Sequence, residues 1–139
     1  MISTMFITVK GQGLHDISGD VADTLVALLA DEQNIDGLCT LFIQHTSASL
    51  LIQENYDPSA RRDLESWLNR LVPERDSLYT HTVEGPDDMP AHIKSALTAT
   101  SVSVPVIGSR LALGTWQGIF LWEHRHHPGQ RKILVHFAS

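Results

Sequence analysis

The chain has 139 residues, of which 42% are hydrophobic and 19% are charged, a composition typical of a globular protein rather than a disordered one. This length suits a single domain over residues 1–139 and is too short for a TIM barrel. The formal net charge of -6, without any run of lysine or arginine, argues against a general nucleic-acid or membrane-surface binder. No stretch approaches the roughly 18 apolar residues of a membrane span. Cys39 is the only cysteine, which excludes an intramolecular disulfide and predicts a reducing compartment, the cytoplasm.

The first part of the chain alternates between strand and helix patterns. Residues 5–10 predict a strand that ends in the glycine turn at 11–13. Asp20 is placed to cap a helix with one apolar stripe, which we expect to end near Gly37. Residues 38–45 then predict a strand that is apolar on both faces until its end.

The middle of the chain contains the strongest helix start. A short strand is predicted at 50–54, and Asp57 and Pro58 then occupy the N-cap and first positions of a helix that Pro73 stops. The segment 73–89 has no periodicity. Because loops of this length inside a compact domain are usually functional or disordered, its carboxylates and histidines favour a functional role.

The last part of the chain is rich in strand patterns. Pro90 is predicted to open a short helix, and residues 102–106 alternate as a strand. We predict one long strand over 111–125 and a closing strand over 132–137. The patterns together predict an α+β domain with a mainly antiparallel sheet, sandwich- or barrel-like, with two longer helices and one short helix.

The twelve residues from His81 to His92 contain the densest group of metal-binding side chains. The two imidazoles can ligate a divalent metal, to which Glu84, Asp87 or Asp88 can add a carboxylate. The Asp-Asp pair also suits Mg²⁺ bound through a substrate phosphate. Asp88 and His92 are four residues apart, so one helical face can present both. The alternative is a solvated acidic loop in which one aspartate only caps the next helix.

A second candidate segment follows the apolar strand at 38–45. His45 ends this strand, and Ser47 and Ser49 lie in a turn of small residues. Such a turn can form an anion-binding nest, with His45 facing a pocket. The alternative is a polar strand end whose hydroxyls satisfy the amides of the turn.

The third candidate segment is the polar end of the predicted strand 111–125. Gln117, Glu123 and Arg125 share one face, which makes Glu123 a candidate general base and Arg125 a candidate phosphate clamp. The alternative is a cross-strand ion pair. The histidine-rich tract at 124–127 directly precedes a Pro-Gly turn, so we predict a solvated hairpin tip there rather than a metal site.

Three motifs in this order resemble those of the YjbQ-like family, some of whose members are described as secondary thiamine-phosphate synthases. The motifs are HTSASL at 45–50 with EN at 54–55 and DP at 57–58, EGPDDMPAHIK at 84–94, and GTWQGI at 114–119 with EHR at 123–125. The resemblance implies a compact α+β fold, a homotrimer, and weak thiamine-phosphate synthase activity. That reaction joins a pyrimidine methyl diphosphate to a thiazole phosphate and releases pyrophosphate.

This activity assigns a role to each candidate residue. Asp87 and Asp88 are expected to hold Mg²⁺ against the diphosphate, while Arg125 clamps phosphate oxygens and Glu123 orients Arg125 or a substrate amine. The expected substrate-binding residues are Ser47, Ser49, Lys94 and Gln117. In a competing scheme a transition metal such as Zn²⁺ is held by three histidines, His45, His81 and His92.

Two other classes of function fit the same residues. One is a metal-dependent hydrolase of a small phosphorylated molecule. The other is a metabolite-binding trimer without catalytic activity.

Overall fold

A computed structural model describes the whole chain, residues 1–139. Eight strands and three helices follow one another in the order β1 (Ile2–Val9), β2 (Gly13–Asp16), α1 (Ser18–Leu28), β3 (Gly37–Ile43), β4 (Ala48–Glu54), α2 (Pro58–Leu71), α3 (Asp88–Leu97), β5 (Ser101–Ile107), β6 (Arg110–Leu111), β7 (Gln117–Glu123) and β8 (Gly129–Ala138). None of the three helices has the length and apolar character needed to cross a membrane.

The strands form two antiparallel sheets. The larger sheet has the order β1-β8-β3-β5-β6, and the smaller sheet has the order β2-β7-β4. All the pairings between named strands are antiparallel. The predicted α+β class with a mainly antiparallel sheet is therefore confirmed, as are the two longer helices and the shorter third one.

The main hydrophobic core lies between the inner faces of the two sheets and α1. It contains 19 buried residues, with Leu41 and Val135 from the larger sheet facing Leu50 and Leu121 from the smaller one. These four side chains are completely buried. Burial of each such side chain stabilises the fold by roughly 1.5–3 kcal/mol, so the core fixes how the two sheets pack.

A second, smaller core lies on the other face of the smaller sheet. Leu14, Phe120 and Trp122 project from this face and pack against Leu68 and Val72 at the end of α2. Strand β7 is consequently covered on both faces, and the last six of its seven residues are buried. The residues that directly follow β7 therefore begin inside the protein.

The prediction of one long strand over 111–125 is wrong. Strand β6 ends at Leu111 in the larger sheet, and β7 begins at Gln117 in the smaller one. Between them Gln117 N–H donates to the carbonyl of Gly114, and Gly114 N–H donates to the side-chain oxygen of Gln117. Residues 114–117 are all exposed, but no proline marks the place where the chain leaves one sheet for the other.

The helix boundaries agree with the predictions to different degrees. Helix α2 starts at Pro58 as predicted, with the Asp57 carboxylate accepting from a first-turn amide, Ser59 N–H, at 2.9 Å. Helix α1 begins two residues before Asp20, which lies in its first turn, where a carboxylate still favours the positive end of the helix dipole. The helix ends at Leu28, so the predicted end near Gly37 is wrong.

The short third helix also begins earlier than predicted. It starts at Asp88, so that Pro90 is its third residue, where the missing amide proton removes no helical hydrogen bond. Neither possible cap forms, since Asp87 makes no side-chain capping bond and Asp88 is already helical. Both aspartates are thereby available for other partners.

The outer face of the larger sheet is covered by no helix. Four large apolar side chains on it are between 43% and 65% exposed, Ile2 and Phe6 on β1 and Leu38 and Phe42 on β3. We call these four residues the outer apolar face.

Candidate metal centre

The first two turns of α3 and the preceding loop bring together two histidines and one aspartate. His81 Nε2 lies 2.6 Å from Asp88 Oδ2, and His92 Nε2 lies 3.1 Å from the same oxygen. The three ligand atoms are within 4.8 Å of one another. Asp88 is only 2% exposed, whereas the side chains of His81 and His92 are 44% and 32% exposed. The cluster is anchored inside the protein and remains open to solvent on the imidazole side.

The ring orientation of His92 directs Nε2 at the Asp88 carboxylate, where either a proton or a metal ion can lie between the two. Its Nδ1 lies 3.1 Å from the carbonyl oxygen of Thr46, which can only accept a hydrogen bond, so Nδ1 carries the proton. In a neutral ring Nε2 is then a lone pair that faces the Asp88 carboxylate. Two acceptors at 3.1 Å repel each other unless a proton or a metal ion lies between them. A second ring nitrogen held by a backbone carbonyl is also the usual arrangement of a metal-binding histidine.

The other oxygen of Asp88 is held by Arg125, whose Nη1 donates to Oδ1 at 2.9 Å. The same guanidinium donates from Nη2 to Asp87 Oδ1 at 3.2 Å and to the carbonyl of Glu84 at 2.8 Å. Asp87 Oδ2 in turn accepts from the backbone N–H of His126 at 3.0 Å. Asp87 thus positions Arg125 instead of facing a metal as predicted, and Arg125 is committed to the two aspartates rather than free to clamp a phosphate.

Both aspartates are held as anions. Burial by itself raises the pKa of Asp88, but the hydrogen bond from His81 and the charges of His92 and Arg125 outweigh it and lower the pKa below its usual range. The pKa of Asp87 is likewise lowered, because the N–H of His126 and the Arg125 guanidinium outweigh burial. The two carboxylates around one guanidinium carry a net negative charge, which favours a nearby cation, either an imidazolium or a metal ion.

His45 lies beside the cluster but is not one of its three ligands. Its Nδ1 accepts from the backbone N–H of Ser47 at 3.0 Å, so the neutral ring carries its proton on Nε2. Burial lowers the pKa of His45, and the positive charge of Arg131 lowers it further. The structure thus brings together His81, His92 and Asp88, and not the three histidines of the predicted metal site.

Glu123 has a different arginine partner from the predicted one. Its two oxygens accept from Nε and Nη2 of Arg131 at 2.7 and 2.6 Å, and Glu123 is completely buried. This two-bond ion pair links the end of β7 to the start of β8. Glu123 therefore does not orient Arg125. The predicted alternative is an ion pair between two strands, and Glu123 does form such a pair, with Arg131 as its partner.

His124 lies in the interior, so the predicted solvated tip is wrong at this residue. It is 1% exposed, and its Nε2 is 2.8 Å from the hydroxyl oxygen of the fully buried Ser49. Burial lowers the pKa of His124 to about 3, with a smaller contribution from the charge of Lys94. Its Nδ1 is buried without any hydrogen-bond partner. Ser49 is thus engaged by His124 and has no exposed surface for substrate.

Ser47 and Gln117 are also predicted to bind substrate, but neither lies on the solvent side of the cluster. Ser47 is 3% exposed, and its carbonyl accepts from the N–H of His124. Gln117 lies at the start of β7, opposite Glu54, six residues before Glu123. At about 3.4 Å per residue this is roughly 20 Å from the polar end of the strand. The structure therefore does not bring Gln117 to the cluster.

Lys94 lines a separate polar cavity. It is 2% exposed, and its Nζ donates to Asn69 Oδ1 at 2.6 Å. Burial lowers the pKa of Lys94, while the carboxylates of Glu74 and Asp87 act in the opposite direction. The cavity has a volume of about 300 Å³.

Comparison with known proteins agrees with the resemblance in the three motifs. The sequence profile of the family described as "UPF0047 protein YjbQ-like" matches residues 3–139. The chain belongs to the YjbQ-like family. It is 49% identical over 135 residues to UPF0047 protein sll1880 of Synechocystis, covering 97% of this chain and 89% of the relative. It is 45% identical over 133 residues to UPF0047 protein YjbQ of Escherichia coli O157:H7, covering 95% and 93%.

Solved structures show the same YjbQ-like fold. The conserved hypothetical protein TT1486 of Thermus thermophilus superposes with a TM-score of 0.85 at 30% identity, covering 98% of this chain and 99% of that one. A YjbQ/UPF0047 family protein of Clostridium acetobutylicum gives a TM-score of 0.80 at 31% identity, with 99% of both chains covered.

Three residues around the cluster are not predicted from the sequence, namely His124, Arg131 and Asn69. Phe120, Trp122 and His124 fall on one face by strand alternation, so the pattern contained a signal that His124 points inward. Arg131 and Asn69 had no local signal, since their partners lie on other elements of the fold.

Proposed function

We propose that the chain is a metal-dependent enzyme acting on small phosphorylated molecules in the cytoplasm, and that its reaction is the thiamine-phosphate synthase transfer. The orientation of His92, with Nδ1 held by the Thr46 carbonyl and Nε2 facing the Asp88 carboxylate, is the observation that supports the metal. Two imidazole nitrogens and one carboxylate oxygen suit Zn²⁺ or another transition ion better than Mg²⁺. The open imidazole side leaves room for a further ligand, as in catalytic rather than structural metal sites.

When bound, the ion would supply positive charge for the leaving diphosphate. The chain's own residues prepare the site for it. Thr46 fixes the ring of His92, and Arg125 and Asp87 fix the carboxylate of Asp88. His45 is neutral because burial lowers its pKa, and its Nε2–H can donate to a substrate oxygen.

The test combines metal content with turnover. We expect purified protein to bind about one transition-metal ion per chain, and Asp88→Asn and His92→Ala to lose that ion. The same variants should lose synthase activity on pyrimidine methyl diphosphate and thiazole phosphate. His127→Ala removes an exposed histidine outside the cluster and serves as the matched control. Full activity in both cluster variants, with folding intact by circular dichroism, would refute the assignment.

A second candidate is the metal-dependent hydrolase of a small phosphorylated molecule. The nitrogen-rich ligand set favours it, because two imidazoles and one carboxylate are a common zinc set in hydrolases. Release of inorganic phosphate from phosphate esters, lost in Asp88→Asn and without any joined product, would distinguish it from the synthase.

The third candidate is a metabolite-binding trimer without catalytic activity. Thermal stabilisation by thiazole phosphate or thiamine phosphate, with no product formed, would favour it.

We also propose that the chain assembles as a homotrimer through the outer apolar face. Four large apolar side chains on one uncovered sheet face are typical of a surface that associates. Light scattering should give about 46 kDa, three times the chain mass of 15.4 kDa. Phe42→Glu, which places a charge in the middle of this face, should shift the mass to that of a single chain. A monomeric mass for the unmodified protein would contradict the proposal.

A further inference from the structure

The cavity beside Lys94 lies on the other side of α3 from the metal centre. Lys94 follows His92 by two residues, which turns it about 200° around the helix axis at 3.6 residues per turn. The cavity of about 300 Å³ is at the small end of the range of ligand pockets. Five of its six lining residues are polar, and the lining consists of Gln12, Asn69, Val72, Glu74, Lys94 and His126.

The ammonium of Lys94 is a buried charge without a counterion. No carboxylate oxygen lies within 4.0 Å of its Nζ, since all the ion pairs of the protein involve other cations. The two nearby carboxylates are committed elsewhere, Glu74 to His126 and Asp87 to Arg125. Burial of a cation costs free energy unless the cation is paired. The Lys94 ammonium therefore favours the binding of an anion.

A chain of amides fixes the position of this ammonium. Gln12 donates from Nε2 to the carbonyl of His124 at 3.1 Å, and its Oε1 accepts from Asn69 Nδ2 at 3.4 Å. Asn69 therefore presents its carbonyl oxygen to Lys94, which uses one of the three ammonium protons. Near the same ammonium, the buried Nδ1 of His124 is also without a partner.

We propose that this cavity binds a small oxyanion of the phosphate class, whose oxygens accept hydrogen bonds from Lys94 Nζ. The ligand chemistry fits either free phosphate or a phosphate monoester. The site shares no residue with the cluster of His81, Asp88 and His92. Phosphate binding there therefore does not require the metal proposed for that cluster.

The experiment titrates metal-free, chelator-treated protein with inorganic phosphate and, separately, with methyl phosphate, followed by calorimetry at low ionic strength. We expect saturable binding that weakens at high salt. Lys94→Met should lower the affinity by at least about tenfold. Lys10→Met removes an exposed lysine as the matched control and should leave the affinity unchanged. Tighter binding of methyl phosphate than of phosphate would identify a monoester as the ligand.

A second variant tests the unpaired charge without removing it. Asn69→Asp places a carboxylate where the amide oxygen now lies, 2.6 Å from Lys94 Nζ, and supplies the missing counterion. We expect this isosteric change to keep the fold and to lower phosphate affinity by at least about tenfold. Phosphate binding that survives in both Lys94→Met and Asn69→Asp would overturn the proposal. Equal loss in Asp88→Asn would also overturn it, because binding would then belong to the metal centre.

Discussion

The buried His124 should make the stability of the protein depend on pH in a measurable way. Its ring is 1% exposed, and its pKa is lowered from 6.5 to about 3, chiefly because burial disfavours the charged imidazolium. The unfolded chain takes up a proton at this residue below about pH 6.5, whereas the folded chain does not until about pH 3. Stability from this residue is therefore complete above pH 6.5 and is lost as the pH falls toward 3.

The size of the loss follows from the two pKa values. One pKa unit corresponds to about 1.4 kcal/mol, so the penalty is roughly 2 kcal/mol at pH 5 and approaches roughly 5 kcal/mol near pH 3. Two kcal/mol is a large fraction of the roughly 5–15 kcal/mol that stabilises a typical domain.

Urea unfolding of the wild type and of His124→Gln at pH 7.5 and pH 5 measures this penalty. Glutamine keeps a polar atom toward Ser49 but has no proton to gain, so the variant should be less stable than the wild type at pH 7.5 and lose about 2 kcal/mol less on acidification. The exposed His127→Gln should follow the wild type closely. A difference between wild type and His124→Gln that stays constant within about 0.5 kcal/mol from pH 7.5 to 5 would refute the reasoning.

Three further changes test the packing and the charges around the site. Arg131→Met leaves the completely buried Glu123 without its partner, so the free energy of unfolding in urea should fall by about 3–5 kcal/mol. The double variant Glu123→Gln/Arg131→Met should regain much of this stability, and no regain would contradict the reasoning. Arg125→Met removes the group that fixes Asp88, so it should weaken the proposed binding of a transition-metal ion by about 10–100-fold in a chelator competition. Unchanged affinity would show that the guanidinium plays no part in that binding. Leu50→Ala in the main core should cost about 2–5 kcal/mol in urea unfolding, and a cost below about 1 kcal/mol would mean that the two sheets close the gap.

The sequence identified the features whose causes are local. Asp57 and Pro58 start a helix because a carboxylate and a fixed backbone angle satisfy its first turn, whatever the rest of the chain does. Asp88 and His92 meet because residues four apart share a helical face, and His81 is only seven residues before Asp88.

The features that the sequence did not reveal depend on how distant elements pack. Glu123 and Arg125 have the right spacing for one strand face, but the partner of Glu123 is Arg131, brought to it by the packing of β8 against the rest of the fold. No proline marks the turn at Gly114, so the sequence predicts a continuous strand and places Gln117 in a site from which it is about 20 Å away.

The position of β8 determines the order in which the protein can fold during synthesis. This strand is the last element of the chain, yet it lies between β1 and β3, and Val135 is opposite both Ser3 and Leu41. Until β8 has been made, β1 has no neighbour in its sheet. Contacts between such distant parts of a chain form slowly, so newly made protein passes through an incomplete and aggregation-prone state. A nascent chain stalled before β8 should therefore be recognised by chaperones as unfolded, although the seven strands and three helices that precede β8 have been made.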